Sequence, residues 1–118
     1  MRPFQLGYVM GILVGEGSFT ASGIVPVLSV KLHARDPVPL QALRELLGGL
    51  AFGPYHHGGR HYFVYRLAGA ELRRALPLFD VYLPPSYRRE QYDGWRRRYF
   101  AGVPIAVAGD AVLNDFGC

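Results

Sequence analysis

The order of hydrophobic patterns along this chain predicts an α+β fold, with one antiparallel four-stranded sheet and the helices on its other face. Three observations carry that prediction. Two pairs of alternating segments read as hairpins, and each is followed by a helical leucine pattern. An apolar run of helical length opens the chain, and a basic segment of helical length comes last. The order is helix, two strands, helix, two strands, helix, helix.

The opening helix runs through Leu6 to Gly15 and ends in one carboxylate, Glu16, held between Gly15 and Gly17. Gly7, Gly11 and Gly15 recur every four residues, so a helix lines them up as one bare ridge. Each glycine costs a helix roughly 1 kcal/mol against alanine. Such a ridge lets a second helix backbone approach closely. Tyr8, Val9, Ile12 and Leu13 are left to fill the remaining core faces.

In the first strand Ser18, Thr20 and Ser22 alternate with Phe19 and Ala21, and Gly23 turns the chain. In the second, Leu28, Val30 and Leu32 alternate with Ser29, Lys31, His33 and Arg35. One face is apolar and the other hydrogen-bonding and cationic. Asp36 as cap and Pro37 in the first turn start the next helix. Leu40, Leu43, Leu46 and Leu47 give its 3.6-residue stripe, and Gly48 with Gly49 stops it.

The second hairpin has strands over residues 51–57 and 60–67, turned by Gly58 and Gly59. On the return strand His61, Phe63, Tyr65 and Leu67 share one face, while Arg60, Tyr62, Val64 and Arg66 share the other. His56, His57 and His61 flank the turn, but no Cys or nearby acid completes a tetrahedral zinc set. Hairpin-tip contact or solvent exposure is the expectation for them. A short helix covers residues 70–79 and is interrupted near its end by Pro77. After Pro84 and Pro85 a basic helix covers residues 86–100. It holds five Arg against Glu90 and Asp93, a net +3. Tyr92, Trp95 and Tyr99 are its core face, and Arg96, Arg97 and Arg98 its solvated face.

With 118 residues, half of them hydrophobic, the chain suits one domain with one core. That domain is residues 1–100, and residues 101–118 are expected to pack on it as a tail. The formal charge is +4, and of the 13 basic residues only Lys31 is not Arg. An anionic partner is favoured, since Arg offers a planar fork for phosphate and guanine edges. A single cysteine, Cys118, excludes an internal disulfide. The apolar run of ten residues from Leu6 to Gly15 is too short to cross a bilayer. Arg2 alone is a thin basic start for a signal peptide, and Glu16 stands where a cleavage site belongs. The expectation is an intracellular protein with no membrane partner and no organic cofactor. With all helices on one sheet face, the other is free. It carries Ser18, Thr20, Ser29, Lys31, His33, Arg35, Arg60, Tyr62 and Arg66, a composition suited to base edges and phosphates.

These residues resemble a single-motif LAGLIDADG homing endonuclease. The motif overlays Val9-Met10-Gly11-Ile12-Leu13-Val14-Gly15-Glu16-Gly17, with Gly11 and Gly17 identical. His33-Ala34-Arg35-Asp36, the helix closing at Leu46-Leu47-Gly48, Tyr62-Phe63-Val64-Tyr65, the helix around Leu72 and Tyr87-Arg88-Arg89 continue the pattern. The resemblance spans roughly residues 4–100. It implies an αββαββα fold with a saddle-shaped sheet lying in the DNA major groove. It also implies a homodimer joined through Gly7, Tyr8, Gly11, Ile12 and Gly15. Glu16, with the backbone carbonyl of Gly15, would hold Mg2+ or Mn2+. Arg88, with Arg89 as second choice, would support the transition state. Ser22 joins the other free-face residues as a DNA contact.

The implied activity is metal-dependent hydrolysis of both strands of a long, roughly palindromic double-stranded DNA site by an intron-encoded protein. Three departures point to an alternative. Val14 replaces the family's first acid, Glu16 replaces Asp, and Ala34 stands where some members carry a polar residue that organises water. A catalytically decayed relative, acting as an RNA-splicing maturase or DNA-binding regulator, would carry such changes.

Overall fold

The computed structural model describes residues 2–107. Most of the expected tail, residues 108–118 with Cys118, lies outside the described residues. The elements are α1 (Pro3–Glu16), β1 (Gly17–Ser22), β2 (Val25–His33), α2 (Val38–Leu47), β3 (Leu50–His57), β4 (Arg60–Ala68), α3 (Gly69–Tyr82) and α4 (Tyr87–Phe100). The four strands form one antiparallel sheet in the order β1-β2-β4-β3. The expected α+β architecture is present.

Turn chemistry sets the two hairpins. Gly23 takes φ +63° between Ser22 and Val25, a conformation glycine adopts without a Cβ clash. Gly58 and Gly59, at φ +56° and +78°, close β3 onto β4 so that His57 faces Arg60. On one sheet face Phe19, Leu28, Val30, Leu32, Tyr65 and Leu67 are buried. They meet Leu6, Val9, Met10 and Leu13 of α1, Leu43, Leu46 and Leu47 of α2, and Leu72, Leu76 and Phe79 of α3. Each such side chain contributes about 1.5–3 kcal/mol by leaving water. Phe19 sits edge-on to Phe79 and Tyr92, with ring centroids 5.7 and 5.0 Å apart, and 5.1 Å from Trp95. That aromatic cluster fastens α4 to β1.

Several boundaries differ from the sequence expectation. The α2 helix starts at Val38 with Pro37 as its cap residue, one position later than expected. Asp36 still serves the start, because its Oδ1 accepts from the Val38 N–H at 3.1 Å. The β3 strand begins at Leu50 and carries a bulge between Phe52 and Tyr55. The α3 helix is not interrupted at Pro77 and continues to Tyr82, three residues beyond the expected end at Phe79. A proline inside a helix costs about 3 kcal/mol. The turn beyond it buries Leu78, Phe79 and Asp80, and the Arg89 guanidinium binds the carbonyls of Phe79, Asp80 and Leu83. Tertiary contacts outweigh the local penalty.

Arg96 is the largest correction. Expected on a solvated face, it is 3% exposed and paired with Asp80. Its Nε and Nη2 each lie 3.0 Å from an Asp80 carboxylate oxygen. Its other donors reach the carbonyls of Phe100, Val103 and Pro104. Asp80 also accepts from the Tyr92 hydroxyl at 2.5 Å and from the Ala106 N–H at 3.1 Å. The first residues of the tail are thus fastened to α3 and α4. Burial, then the bond to Asp80, pushes the Tyr92 hydroxyl well above the usual tyrosine range. The bond to Asp80 likewise raises Arg96.

Candidate nucleic-acid interface and metal-binding acid

The tip of α1 is built by two glycines with different jobs. At Gly17 a Cβ would lie 2.7 Å from the Leu13 carbonyl oxygen. Only glycine lets the chain pass from helix into β1 there. At Gly15, Gly11 and Gly7 a Cβ would meet nothing within 4 Å, and all three are exposed. The ridge therefore serves no packing among the described residues. Val9 and Leu13 are buried as expected, Tyr8 and Ile12 only partly, and Phe4 stacks on Tyr8 with centroids 6.4 Å apart. Val14 packs against the core as an apolar side chain.

Glu16 is exposed at that tip. Among the described residues no side chain hydrogen-bonds or ion-pairs with its carboxylate, although an acid at a helix C-terminus is electrostatically disfavoured. It lines a concavity of about 400 Å³ with Lys31, His33, His57, Arg60, His61 and Tyr62. The donor set fits a hard dication. Mg2+ takes one or two carboxylates and keeps several waters, and the last helical carbonyls, Gly15's among them, lack intrahelical donors. Among the described residues no group of three His, Cys, Asp or Glu side chains is placed to hold a metal.

The open sheet face is organised in rows by the strand register. Ser18, Ser29, Arg66 and Leu50 lie across the sheet in one row. Lys31, Val64 and Phe52 form the next, then His33, Tyr62 and Tyr55, then Arg60 and His57 at the hairpin tip. Thr20 begins a row on the far side, opposite Val27 and Ala68, and Ser22 pairs with Val25 at the turn. The Lys31 Nζ sits 4.8 Å from the centre of the Tyr62 ring, whose other neighbour is Tyr55 at 5.6 Å. Arg35 departs from expectation. The β2 strand ends at His33, so Arg35 lies in the following turn and strand parity does not set its face. His33 is held there, its Nδ1 accepting from the Arg35 N–H at 3.2 Å.

The face is also less polar than its sequence reading. Phe52 and Tyr55 stand on it half-exposed, and Leu50 is 60% exposed. Strand alternation hid the pairing, because the bulge inserts a residue and puts both aromatics on one face. The Gly53 at this bulge has φ +116°, and a Cβ there would lie 2.9 Å from the Tyr62 carbonyl. Val27 is the other exception, buried although it lies on the open face.

The two arginines proposed for catalysis separate. Arg89 is spent on structure: three carbonyls at the end of α3, plus Asp93 at 2.9 Å. It is removed from the candidate catalytic set. Arg88 donates to Gln91 Oε1 at 2.8 Å, and the same oxygen accepts from the Phe19 N–H at 3.2 Å. That chain of contacts ties Arg88 to the start of β1, three residues after Glu16. Its Nε is buried without a partner among the described residues. The Ser86 side chain caps α4 by accepting from the Arg89 N–H, which fixes this turn. Gln91 carries no sequence signal for this role. Tyr87 is 81% exposed and packs no core.

No family model and no curated protein matches the chain. Solved structures do. A point mutant of I-SmaMI aligns at TM-score 0.64 and 22% identity, covering 78% of this chain and 35% of that one. The I-SmaMI LAGLIDADG homing endonuclease bound to cleaved DNA aligns at 0.61 and 22%, covering 78% and 34%. The homing endonuclease I-TnaI aligns at 0.57 and 23%, covering 78% and 69%. This chain therefore spans about a third of the length of I-SmaMI. Its αββαββα core, followed by α4, has the fold of the LAGLIDADG homing endonucleases.

Proposed function

We propose that this chain is a homodimeric, divalent-metal-dependent endonuclease that cuts both strands of a long, roughly palindromic double-stranded DNA site. The observation that carries the reading is the unpaired Glu16 carboxylate. It opens into the same concavity as Lys31, His33 and Arg60 yet forms an ion pair with none of them. An acid left free beside cations is available to a dication. Mg2+ or Mn2+, when bound, would supply charge neutralisation at phosphate and an activated water. Glu16 and the Gly15 carbonyl would hold it.

The rest of the surface has matching parts. Successive rows on the open face are about 7 Å apart, close to two base-pair steps, so the rows can follow a groove. Arg66, Lys31 and Arg60 would contact phosphates or guanine edges, while Ser18, Thr20, Ser22, Ser29, His33 and Tyr62 would contribute shorter hydrogen bonds. The exposed ridge of Gly7, Gly11 and Gly15 would admit the same helix of a second copy, with Tyr8 and Ile12 at its flanks. Two Glu16 carboxylates would then lie near one axis. Arg88, oriented by Gln91, would offset charge on the transition-state phosphate.

The test is cleavage of a randomised palindromic DNA library in Mg2+, with the cut ends sequenced. Wild type is expected to cut, and Glu16→Gln to bind the selected site with no cutting. Retained cleavage in that variant overturns the role of Glu16. Specific binding by wild type without cutting, in Mg2+ or Mn2+, would instead favour a maturase or DNA-binding regulator on the same scaffold.

A further inference from the structure

We propose that His56 and His61 form a two-imidazole site for a transition-metal dication (Zn2+, Ni2+ or Cu2+), one that does not use the Glu16 carboxylate although His61 borders the same concavity, and that is independent of the nuclease reading. The two residues are direct cross-strand partners in the β3–β4 hairpin. Partners in an antiparallel pair have Cβ atoms roughly 4.5–5.5 Å apart on one face, so their side chains converge. The Gly58–Gly59 turn fixes this register two residues away. The imidazoles have converged, and the Nδ1 atoms of His56 and His61 are in direct hydrogen-bonding contact. Two ring nitrogens facing each other must share a proton, because neutral imidazole offers one donor and one acceptor. A metal ion can take that proton's place. With metal–nitrogen bonds of about 2.0–2.1 Å, the nitrogens need only separate to roughly 3 Å.

The surroundings narrow the ion. Both histidines are exposed, so water can fill the other coordination positions. With no third His, Cys, Asp or Glu grouped with them among the described residues, this is an open site, unlike the closed tetrahedral zinc site that the sequence argued against. Imidazole nitrogen suits Zn2+, Ni2+ and Cu2+, whereas Mg2+ requires oxygen. The other two of the chain's 4 histidines provide internal controls. His57 pairs with Arg60 on the opposite face of the hairpin, and His33 pairs with Tyr62 on β2. A metal bridging His56 and His61 would cross-link β3 to β4 beside the turn and leave the row of Tyr55, Tyr62 and His33 uncovered.

Isothermal titration of the full chain with ZnCl2 and NiCl2, without DNA, tests this. One saturable site per chain is expected in the micromolar range, unchanged by excess Mg2+. His56→Ala and His61→Ala should each weaken it by roughly tenfold or more, since each removes one of two imidazole bonds. His57→Ala, His33→Ala and Glu16→Gln should leave it unchanged, with circular dichroism confirming that every variant is folded. Binding weaker than about 1 mM overturns the proposal. So does wild-type affinity in either His56→Ala or His61→Ala, or an equal loss in His57→Ala. Loss in Glu16→Gln would place the ion at the helix tip and overturn it as well.

Discussion

Glu16 and Asp80 are both acids in helices of the same small domain, and their surroundings are opposite. Asp80 is 8% exposed, and both its oxygens are bonded, to Tyr92, Arg96 and the Ala106 N–H. Glu16 stands in solvent with no partner among the described residues. The first is what a folded protein does with a carboxylate it must bury: every lone pair is matched. The second has no partner among the described residues, and in a concavity that also holds Lys31 and Arg60 that is the observation on which the proposed metal role rests. The same contrast separates Arg89, whose donors are consumed by carbonyls and Asp93, from Arg88, whose one hydrogen-bond partner among the described residues is Gln91.

Mutating the buried side of this comparison should have the largest effect. Asp80→Ala leaves Arg96 charged and unpaired, and should cost about 3–5 kcal/mol of stability, read by urea denaturation. A smaller loss would mean that water or a shifted tail replaces the carboxylate. Next is the alkaline limb. Tyr92 titrates above its unfolded value, because burial and Asp80 favour the neutral form. Its contribution is fully present below about pH 10 and declines as pH rises beyond it. The stability of Tyr92→Phe should fall less steeply between neutral pH and strong alkali, measured by thermal melts across that range.

The open side gives smaller changes in stability and larger ones in association. Gly11→Ala adds a methyl group into empty space and should stabilise α1 by about 1 kcal/mol in dilute protein. Sedimentation at higher concentration should show weakened self-association. If pairing persists unchanged, the ridge is not the contact surface. Glu16→Gln relieves an unfavourable charge at a helix C-terminus, and should raise stability by only about 0.3–1 kcal/mol. A measurable loss instead would mean that the carboxylate has a structural partner.

How far the sequence could be read follows from the range of each interaction. Elements set by local periodicity and turn glycines were legible: both hairpins and the leucine helix. The exposed position of Glu16 at the end of α1 was legible because it violates a local rule. The unbroken run of α3 through Pro77 to Tyr82 was not, since the contacts that stabilise it come from Arg89 on another helix. Arg96 was misread for the same reason: its partner Asp80 lies 16 residues away, and helical charge runs are usually solvated. The placing of both Phe52 and Tyr55 on the open face was not legible, because one bulged residue reverses strand parity.

The two outer strands of the sheet restrict how copies of this chain can meet. On β1 the backbone is already engaged, Gln91 accepting from the Phe19 N–H and the Trp95 indole donating to the Thr20 carbonyl at 2.7 Å. On β3 the ladder is broken at Gly53–Pro54, and Pro54 has no N–H to offer. Neither margin is a clean template for another strand, so growth of the sheet from chain to chain is discouraged at both ends. A route to aggregation through the sheet edges is thereby discouraged.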